Sequence, residues 1–167
     1  GIVMMGYLND DGTINRDSID EDGWLHTGDI GRLGEKGCLF ITGRVKSMIV
    51  LPTGKKVFPE EVEYLINRSG LVADSLVWGE GEGQDVFVSA KFVLNPEEYK
   101  DEQGQPLEPH TIKERLDKLV ADVNAAMPSF KMIKYYVYSF EDMVRTTTKK
   151  IKRNVEQEKI KEASGTE

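Results

Sequence analysis

From about residue 45 onward, hydrophobic positions alternate between a strand period and a helix period. The runs VKSMIVL and KKVF flank a PTG turn at residues 52–54 and predict a β-hairpin. Pro59 follows as the first residue of a helix, because proline has no N–H to leave unpaired there. One apolar face at helical spacing is formed by Val62, Leu65 and Ile66. Gly70 ends this predicted helix.

The next part of the chain predicts two strands. ADSLVWGE and DVFVSAKFVL are rich in β-branched and aromatic residues and are joined by GEGQ. In the second run, the two predicted faces consist of Val86, Val88 and Ala90 and of Phe87, Ser89 and Lys91. The pattern therefore predicts an antiparallel strand pair.

A second helix follows a polar, proline-containing loop. Thr111 with Glu114 three residues later has the spacing of a capping box, so Thr111 is the expected N-cap. An apolar stripe then runs through Ile112, Leu116, Leu119, Val120 and Val123. IKYYVYSF predicts a last strand, and NVEQEKIKEA predicts a final short helix.

These elements predict an α+β fold with a small, mostly antiparallel sheet and helices packed on it. Residues 1–44 are polar and turn-rich, with a hairpin formed by WLHTGDIGRL and CLFITGR around GEKG. They are too few to make a domain by themselves. We therefore expect two parts, the β segment 1–44 left from a larger N-terminal domain and a complete small domain at 45–167.

Composition narrows the function classes. A hydrophobic fraction of 39% and a charged fraction of 31% are typical of a soluble globular protein. The lone Cys38 excludes a disulfide framework and a cysteine zinc site, and a reducing cytoplasm is the simplest compartment. With only His26 and His110 as histidines, no metal site is predicted.

The stretch RTTTKKIKR, residues 145–153, stands out against the net charge of −7. The threonine run disfavours a helix and predicts a loop. Three readings are open: a solvated basic loop, a patch for lipid or nucleic acid, or a loop that aims one lysine at a reaction. A lysine between a carboxylate and a phosphate would offset their repulsion as they approach. No interleaved aromatic residues accompany the cluster, which argues against single-stranded nucleic acid.

Two further stretches carry candidate chemistry. Asp29 in HTGD can accept hydrogen bonds from a vicinal diol, or it can satisfy its own turn. Arg44 in GRVKS offers a planar fork suited to phosphate or ribose oxygens, or it is an ordinary surface arginine. Lys46 lies at the junction of the two parts, where a hinge can form.

The order and spacing of VMMGYLND, GWLHTGDIG, GRVKSMIVLPTGKKVFPEEVE and RTTTKKIKR resemble the C-terminal part of the adenylate-forming enzymes. That superfamily includes acyl-CoA synthetases, nonribosomal peptide adenylation domains and luciferases. The resemblance covers residues 1 to about 155. Within the superfamily, the sequence looks most like long-chain fatty acyl-CoA synthetases.

The resemblance implies roles for individual residues. Asp29 matches the acid that binds the ATP ribose, Arg44 matches the arginine that contacts ribose and phosphate, and Lys46 matches the hinge. Lys150 matches the catalytic lysine in the pattern T-x-x-G-K-I/V-x-R, with Lys149 where glycine is usual. That departure leaves the register open between Lys149 and Lys150. The loop that carries Gly54, Lys55 and Lys56 matches the segment that faces the active site in the thioester-forming state.

The implied activity is a two-step ligation that uses ATP, Mg²⁺ and CoA. The implied partners are a carboxylic acid and the protein's own N-terminal domain, with no nucleic acid and at most peripheral membrane association. Because the phosphate-binding motif and the acyl pocket of the family are missing, the fragment by itself is expected to be inactive. The alternatives are a carrier-protein ligase, an adenylation domain for another acid, and a stand-alone anion-binding module.

Overall fold

The computed structural model describes residues 4–164. The chain forms two compact units, Gly1–Ser47 and Met48–Glu167. The division lies three residues beyond the expected end of the first part at residue 44.

The first unit consists of two antiparallel hairpins joined by turns. The first pairs β1 (Tyr7–Leu8) with β2 (Ile14–Asn15), and the second pairs β3 (Asp29–Leu33) with β4 (Leu39–Arg44). The second hairpin was predicted from the sequence, and its register shifts between Ile30 and Gly31. A single 3₁₀ turn, Val45–Ser47, follows β4.

The second unit begins with a small hairpin and contains a three-stranded sheet with three helices. In chain order, its elements are β5 (Ile49–Val50), β6 (Lys56–Val57), α1 (Pro59–Asn67), β7 (Val72–Glu80), β8 (Phe87–Leu94), α2 (Pro109–Ala125), β9 (Ile133–Ser139) and α3 (Arg153–Ser164). Short 3₁₀ turns occur at Gly83–Asp85, Pro96–Tyr99 and Ser129–Lys131. The predicted α+β class is confirmed.

The three-stranded sheet has the order β7–β8–β9. β7 and β8 are antiparallel, as the sequence predicts, whereas β8 and β9 are parallel. β8 and β9 are parallel because α2 connects them. This helix returns the chain to the end of the sheet at which β8 starts, so β9 runs in the same direction as β8. The other paired strands in the described residues are antiparallel.

Both faces of the sheet are covered. On one face, α1 and α2 pack with the sheet around Val88, Ala90 and Phe92, as the predicted alternation requires. On the other face, Leu76, Trp78, Val93, Met143 and Ile160 form a second cluster. The sheet is therefore a middle layer, and strand β8 is buried along most of its length on both sides.

The start of α2 differs from the sequence prediction. The helix begins at Pro109 with Glu108 as N-cap, so Thr111 lies inside the first turn and is not the cap. Proline is preorganised for the first helical position and has no N–H that needs a cap, so the helix starts three residues earlier than predicted. The predicted apolar stripe is buried at Ile112, Leu116, Leu119 and Val123.

Helix α1 begins at Pro59 as predicted, with Glu60 and Glu61 in its first turn, where the helix dipole favours anions. It ends at Asn67, and Gly70 adopts a positive φ of 75° three residues later. No helix among residues 4–164 is both long and apolar enough to span a membrane.

Candidate functional site

Asp29 and Arg44 face each other in the first unit. They are register partners at the ends of β3 and β4, and Nε of Arg44 lies 3.0 Å from Oδ1 of Asp29. The backbone N–H of Asp29 donates to Oγ1 of Thr27 at 3.1 Å, so Thr27 satisfies this corner of the turn. The Asp29 carboxylate therefore keeps acceptor capacity for hydroxyl groups, and the Arg44 guanidinium keeps donors for an anion.

Lys46 lies in the 3₁₀ turn Val45–Ser47, at the end of the first unit. Its side chain is exposed and has no hydrogen-bond or ion-pair partner among residues 4–164. Its assignment as a hinge stays a prediction.

The loop that carries Gly54 closes the β5–β6 hairpin in the second unit. The N–H of Leu51 donates to the carbonyl of Lys55 at 2.9 Å, and the N–H of Gly54 donates to the carbonyl of Leu51 at 2.8 Å. Gly54 adopts a φ of 77°, which glycine reaches without steric cost. The arrangement is a three-residue hairpin loop whose last residue is left-handed and is followed by Lys55.

Lys55 rests on an aromatic ring. Its Nζ lies 4.5 Å from the centroid of Phe130, in the geometry of a cation–π contact. Lys131 next to that ring is ion-paired with Glu61 of α1. Among residues 4–164, Lys56 is exposed and has no side-chain partner. Lys55, and not Lys56, therefore links the β5–β6 hairpin to the segment after α2.

The stretch 145–153 forms a loop, as predicted, and its hydrogen bonds repeat those of the Gly54 loop. The N–H of Thr146 donates to the carbonyl of Lys150 at 2.8 Å, and the N–H of Lys149 donates to the carbonyl of Thr146 at 2.9 Å. Arg145 and Ile151 form an antiparallel bridge outside this turn. Lys149 takes the left-handed position with a φ of 63°, and Lys150 follows it as Lys55 follows Gly54.

Four other loops in the described residues close with the same pair of hydrogen bonds. Their left-handed residues are Gly12, Gly23, Gly37 and Gly104. Lys149 is the one non-glycine residue with positive φ among residues 4–164. The left-handed backbone conformation therefore explains why glycine suits position 149. In the pattern T-x-x-G-K-I/V-x-R, the lysine follows the glycine, as Lys150 follows Lys149 here.

The two arginines of the cluster are ion-paired at the ends of the loop. Arg145 pairs with Asp74 of β7 and also donates to the carbonyl of Lys149 at 2.7 Å. Arg153 donates to Glu63 of α1 at 2.8 Å and to the carbonyl of Val77 at 3.2 Å. Both arginine charges are therefore paired with carboxylates, and these ion pairs hold the two ends of the loop.

The carboxylate of Glu63 is largely buried between α1 and β7. It accepts the N–H of Val77 at 2.8 Å in addition to the bond from Arg153. Burial raises the pKa of Glu63 above its ordinary value, and the bonds from Arg153 and Val77 only partly offset this.

Glu156 of α3 anchors the start of the loop segment. It is 1% exposed, accepts the N–H of Val144 at 2.7 Å and pairs with Lys91 of β8 at 2.6 Å. Burial by itself would raise the pKa of Glu156, but the hydrogen bonds from Lys91 and Val144 and the Lys91 charge outweigh it and lower the pKa. Helix α3 is thereby tied both to the sheet and to the segment before Arg145.

Lys150 and Lys152 are exposed, and their ammonium groups have no partner among residues 4–164. The ammonium group of Lys149 is also exposed and without a partner among these residues, so the structure presents three unpaired lysines on a loop that is fastened at both ends. Such a loop offers a positioned cation rather than a diffuse basic surface.

A family model for the AMP-binding enzyme C-terminal domain matches residues 46–163. The chain belongs to this family. The match begins at Lys46 and covers the second unit from its first strand into α3.

Relatives of this AMP-binding C-terminal domain include two curated ligases. The long-chain-fatty-acid–CoA ligase ACSBG1 of Rattus norvegicus is 39% identical over 98 residues, which is 57% of this chain and 13% of that protein. A methyl-dioxo-octahydroindenyl-propanoyl:CoA ligase of Mycobacterium tuberculosis is 49% identical over 92 residues, 55% of this chain and 18% of that protein. The chain therefore spans less than one fifth of the length of these relatives.

Solved structures agree with the fold. The ATP-bound RpMatB-BxBclM chimera B1 is 29% identical, with a TM-score of 0.66 over 86% of this chain and 26% of that one. The adenylation domain of a carboxylate reductase from Mycobacterium chelonae has a TM-score of 0.71 over 88% of this chain and 23% of that one, at 24% identity. The AMP-binding C-terminal domain therefore has the fold of adenylate-forming enzymes, as the sequence motifs imply.

The predicted site residues fall into three groups in this domain and the preceding unit. Asp29 and Arg44 contact each other in the first unit, where Lys46 also lies. Gly54, Lys55 and Lys56 share the β5–β6 hairpin, and Lys150 lies on the loop before α3. Among residues 4–164, no group of three or more histidine, cysteine, aspartate or glutamate side chains is placed to hold a metal ion.

Sequence reasoning missed the residues that hold the two loops. Asp74 and Phe130 are far from their partners in sequence, and no local pattern marks them. Glu156 had a signal, since it lies four residues before Ile160 and so shares the buried face of α3. A carboxylate on an apolar helix face indicates a buried ion pair.

Proposed function

We propose that this chain is the C-terminal part of an ATP-dependent, AMP-forming acid–thiol ligase that acts on fatty acids. In the first step, a carboxylate oxygen attacks the α-phosphorus of ATP, the bond to pyrophosphate breaks, and an acyl-adenylate forms. In the second step, a thiol loses its proton to solvent and its sulfur attacks the acyl carbon, so a thioester forms and AMP leaves with its bridging oxygen. The membership of the family and the two CoA ligases among its relatives support this assignment.

The loop that presents Lys150 carries the proposal. Both arginines around it are neutralised by carboxylates, whereas the Lys150 ammonium is unpaired among the described residues. A positioned ammonium lowers the cost of bringing a carboxylate to a phosphate and stabilises the charge that develops there. We therefore assign Lys150 to the first step.

Asp29 and Arg44 are proposed to bind the nucleotide. The Asp29 carboxylate would accept the ribose hydroxyls, and the Arg44 guanidinium would donate to ribose or phosphate oxygens. The ion pair between them holds both groups at one corner of the β3–β4 hairpin. No step is assigned to a metal ion held by this chain, since the described residues offer no ligand cluster for Mg²⁺.

The hairpin with Gly54, Lys55 and Lys56 is proposed to serve the second step, with CoA as the thiol. A swing about Lys46 would exchange the Lys150 loop for this hairpin at the same active site. The exposed 3₁₀ turn at Lys46 and the separate anchoring of the two loops support this exchange.

The protein's own N-terminal domain is the proposed partner of the second unit, and the first unit is proposed to be the last part of that N-terminal domain. Trp24, Leu33, Leu39 and Ile41 are each more than 60% exposed there, which leaves apolar surface for another part of the protein to cover. The exposed free Cys38 fits a reducing compartment, and we propose a cytoplasmic location.

Lys150→Ala in the full-length ligase tests the proposal. The rate of acyl-adenylate formation, measured by pyrophosphate exchange, is expected to fall about 100-fold or more, because a preorganised cation is lost. Thioester formation from supplied acyl-adenylate should be largely spared. Lys152→Ala is the matched control, since Lys152 is also an exposed and unpaired lysine of the same loop. Equal loss in both steps, or loss in neither, would contradict the assignment.

A ligase for a different acid is the second candidate. The relative from Mycobacterium tuberculosis shares 49% identity and is named for a ring-bearing propanoyl group rather than a fatty acid. A panel of acids in the full-length enzyme separates the two, since a fatty acid ligase should turn over long straight-chain acids in preference to ring-bearing ones. Transfer to a carrier protein in preference to CoA would indicate the carrier-protein alternative.

A further inference from the structure

Asp74 lies where the register between β7 and β8 shifts, and its carboxylate is fixed at both oxygens. Oδ1 accepts the N–H of Ser75 at 2.9 Å, and Oδ2 accepts a hydrogen bond from Arg145. Asp74 and Arg145 are 71 residues apart in sequence. The side chain of Asp74 is 20% exposed, so the ion pair is partly shielded from solvent.

The same guanidinium reaches the loop that carries Lys150. While one terminal nitrogen of Arg145 bonds to Asp74, the other donates to the carbonyl of Lys149 at 2.7 Å. That carbonyl belongs to the peptide group that leads into Lys150. A chain of two hydrogen bonds therefore runs from a sheet strand to the backbone next to the proposed catalytic lysine.

The loop needs such a restraint more than a glycine-containing loop would. Lys149 holds a left-handed conformation that costs an L-residue with a side chain about 1 kcal/mol or more. The bond from Arg145 acts on the residue that bears this cost. Arg153 and Glu156 fasten the segments on either side, but neither bonds to the turn at residues 146–150.

We propose that Asp74 is a positioning residue for adenylate formation, acting on Lys150 through Arg145 and the Lys149 carbonyl. This inference rests on the proposed function of Lys150. A planar guanidinium bonds two acceptors at once only if its orientation is fixed, and Asp74 fixes it. Without that carboxylate, the loop keeps its ends but samples other conformations at Lys149, and the Lys150 ammonium spends less time at its working position.

The test is Asp74→Ala in the full-length ligase, with the two half-reactions measured separately. Adenylate formation is expected to fall about 10-fold, since misplacement of a catalytic group by about 1 Å can cost up to about 100-fold. Thioester formation from supplied acyl-adenylate should change by less than about 2-fold, because the β5–β6 hairpin has its own anchor. Asp74→Glu keeps the carboxylate and should recover part of the loss.

Two further variants make the test specific. Arg145→Lys keeps the charge but replaces the two-sided fork by one ammonium, so it should reproduce the loss. Asp117→Asn is the matched control, because Asp117 is an ion-paired carboxylate of the same unit that bonds Lys113 and Tyr136 instead. The double variant Asp74→Ala with Arg145→Lys should lose no more than the larger single loss, since both act through one chain of bonds.

The outcomes separate this proposal from the one on which it rests. If Lys150→Ala abolishes adenylate formation but Asp74→Ala leaves it intact in a folded enzyme, Asp74 is not a positioning residue. If Asp74→Ala lowers both half-reactions equally, together with the melting temperature, its role is structural only, and the proposal is wrong. If Lys150→Ala itself has no effect, the assignment of Lys150 fails, and the positioning role of Asp74 fails with it.

Discussion

Arg44 and Asp29 are cross-strand partners whose Nε and Oδ1 atoms lie 3.0 Å apart at one end of the β3–β4 hairpin. The sequence places them 15 positions apart, and the antiparallel register brings them together. An ion pair of this kind links the two residues energetically, so they should respond to mutation as one unit.

We expect Asp29→Ala and Arg44→Ala each to lower kcat/KM for ATP about 10- to 100-fold in the full-length ligase, the range for loss of a hydrogen bond to a charged group. The double variant should lose less than the product of the two. Steady-state kinetics with ATP varied provides the measurement. Arg32→Ala is the control, because Arg32 lies on the same hairpin and stacks on Phe40 at 4.7 Å. Full additivity would show that the pair does not act together on the nucleotide.

Lys149→Gly should preserve the loop. Glycine adopts the φ of 63° without steric cost, although it gains more entropy in the unfolded chain. The free energy of unfolding of the 167-residue chain should therefore change by no more than about 1 kcal/mol, measured by urea denaturation. In the full-length ligase, adenylate formation should stay within about 3-fold of the parent, because the backbone path to Lys150 is kept.

The companion variant decides the register. Lys149→Ala keeps a Cβ at the left-handed position and removes the rest of the side chain with its ammonium group, so it should also spare adenylate formation. Should Lys149→Ala harm that step more than Lys150→Ala does, the catalytic lysine is Lys149.

Phe130→Ala should affect the opposite half-reaction. Loss of the ring removes the contact that holds Lys55 on the β5–β6 hairpin, and such contacts contribute about 0.5 to 2 kcal/mol. Thioester formation from supplied acyl-adenylate is therefore expected to fall about 2- to 30-fold, with adenylate formation spared.

Phe130→Tyr keeps a ring under Lys55 and should restore most of the rate. Phe140→Ala is a suitable control, since Phe140 packs edge-on against Tyr99 at 6.0 Å and is not in contact with Lys55. Loss of adenylate formation in Phe130→Ala would mean that the ring supports the domain as a whole.

Glu156 should make stability depend on pH. Because its pKa in the folded state is lowered from the ordinary value of 4.5, its contribution is fully present above pH 4.5 and is lost as pH falls through the folded pKa. Urea denaturation of the 167-residue chain at several pH values should show this loss of stability on acidification. Glu156→Gln should flatten the profile in that range.

Glu156→Ala should also cost about 3 kcal/mol at neutral pH, since the charge of Lys91, whose side chain is only 14% exposed, would be left without its partner. Glu158→Gln on the exposed side of the same helix is the matched control and should change neither the profile nor the stability. An unchanged acid limb in Glu156→Gln would exclude Glu156 as the titrating group.

Local sequence patterns predicted most elements and the composition of both loops. The β3–β4 and β5–β6 hairpins, α1, the stripe of α2 and the final helix follow from turn residues and apolar spacing, which act over a few positions. The predicted N-cap of α2, Thr111, lies three residues after the observed N-cap, because Pro109 is itself suited to the first helical position. The parallel pairing of β9 with β8 could not be predicted in this way, because it depends on which edge strand of the sheet is free to pair, and no local pattern carries that information.

The sequence by itself determined where the lysines lie, that they occupy turns, and the family to which the motifs belong. Only the tertiary structure decided which charges are free. Arg145 is ion-paired with Asp74, which is 71 positions away, and Arg153 with Glu63, which is 90 positions away. Lys150 has no side-chain partner in the described part of the chain. Ion pairs form wherever folding brings opposite charges together, and sheet packing makes these contacts between segments that share no sequence pattern.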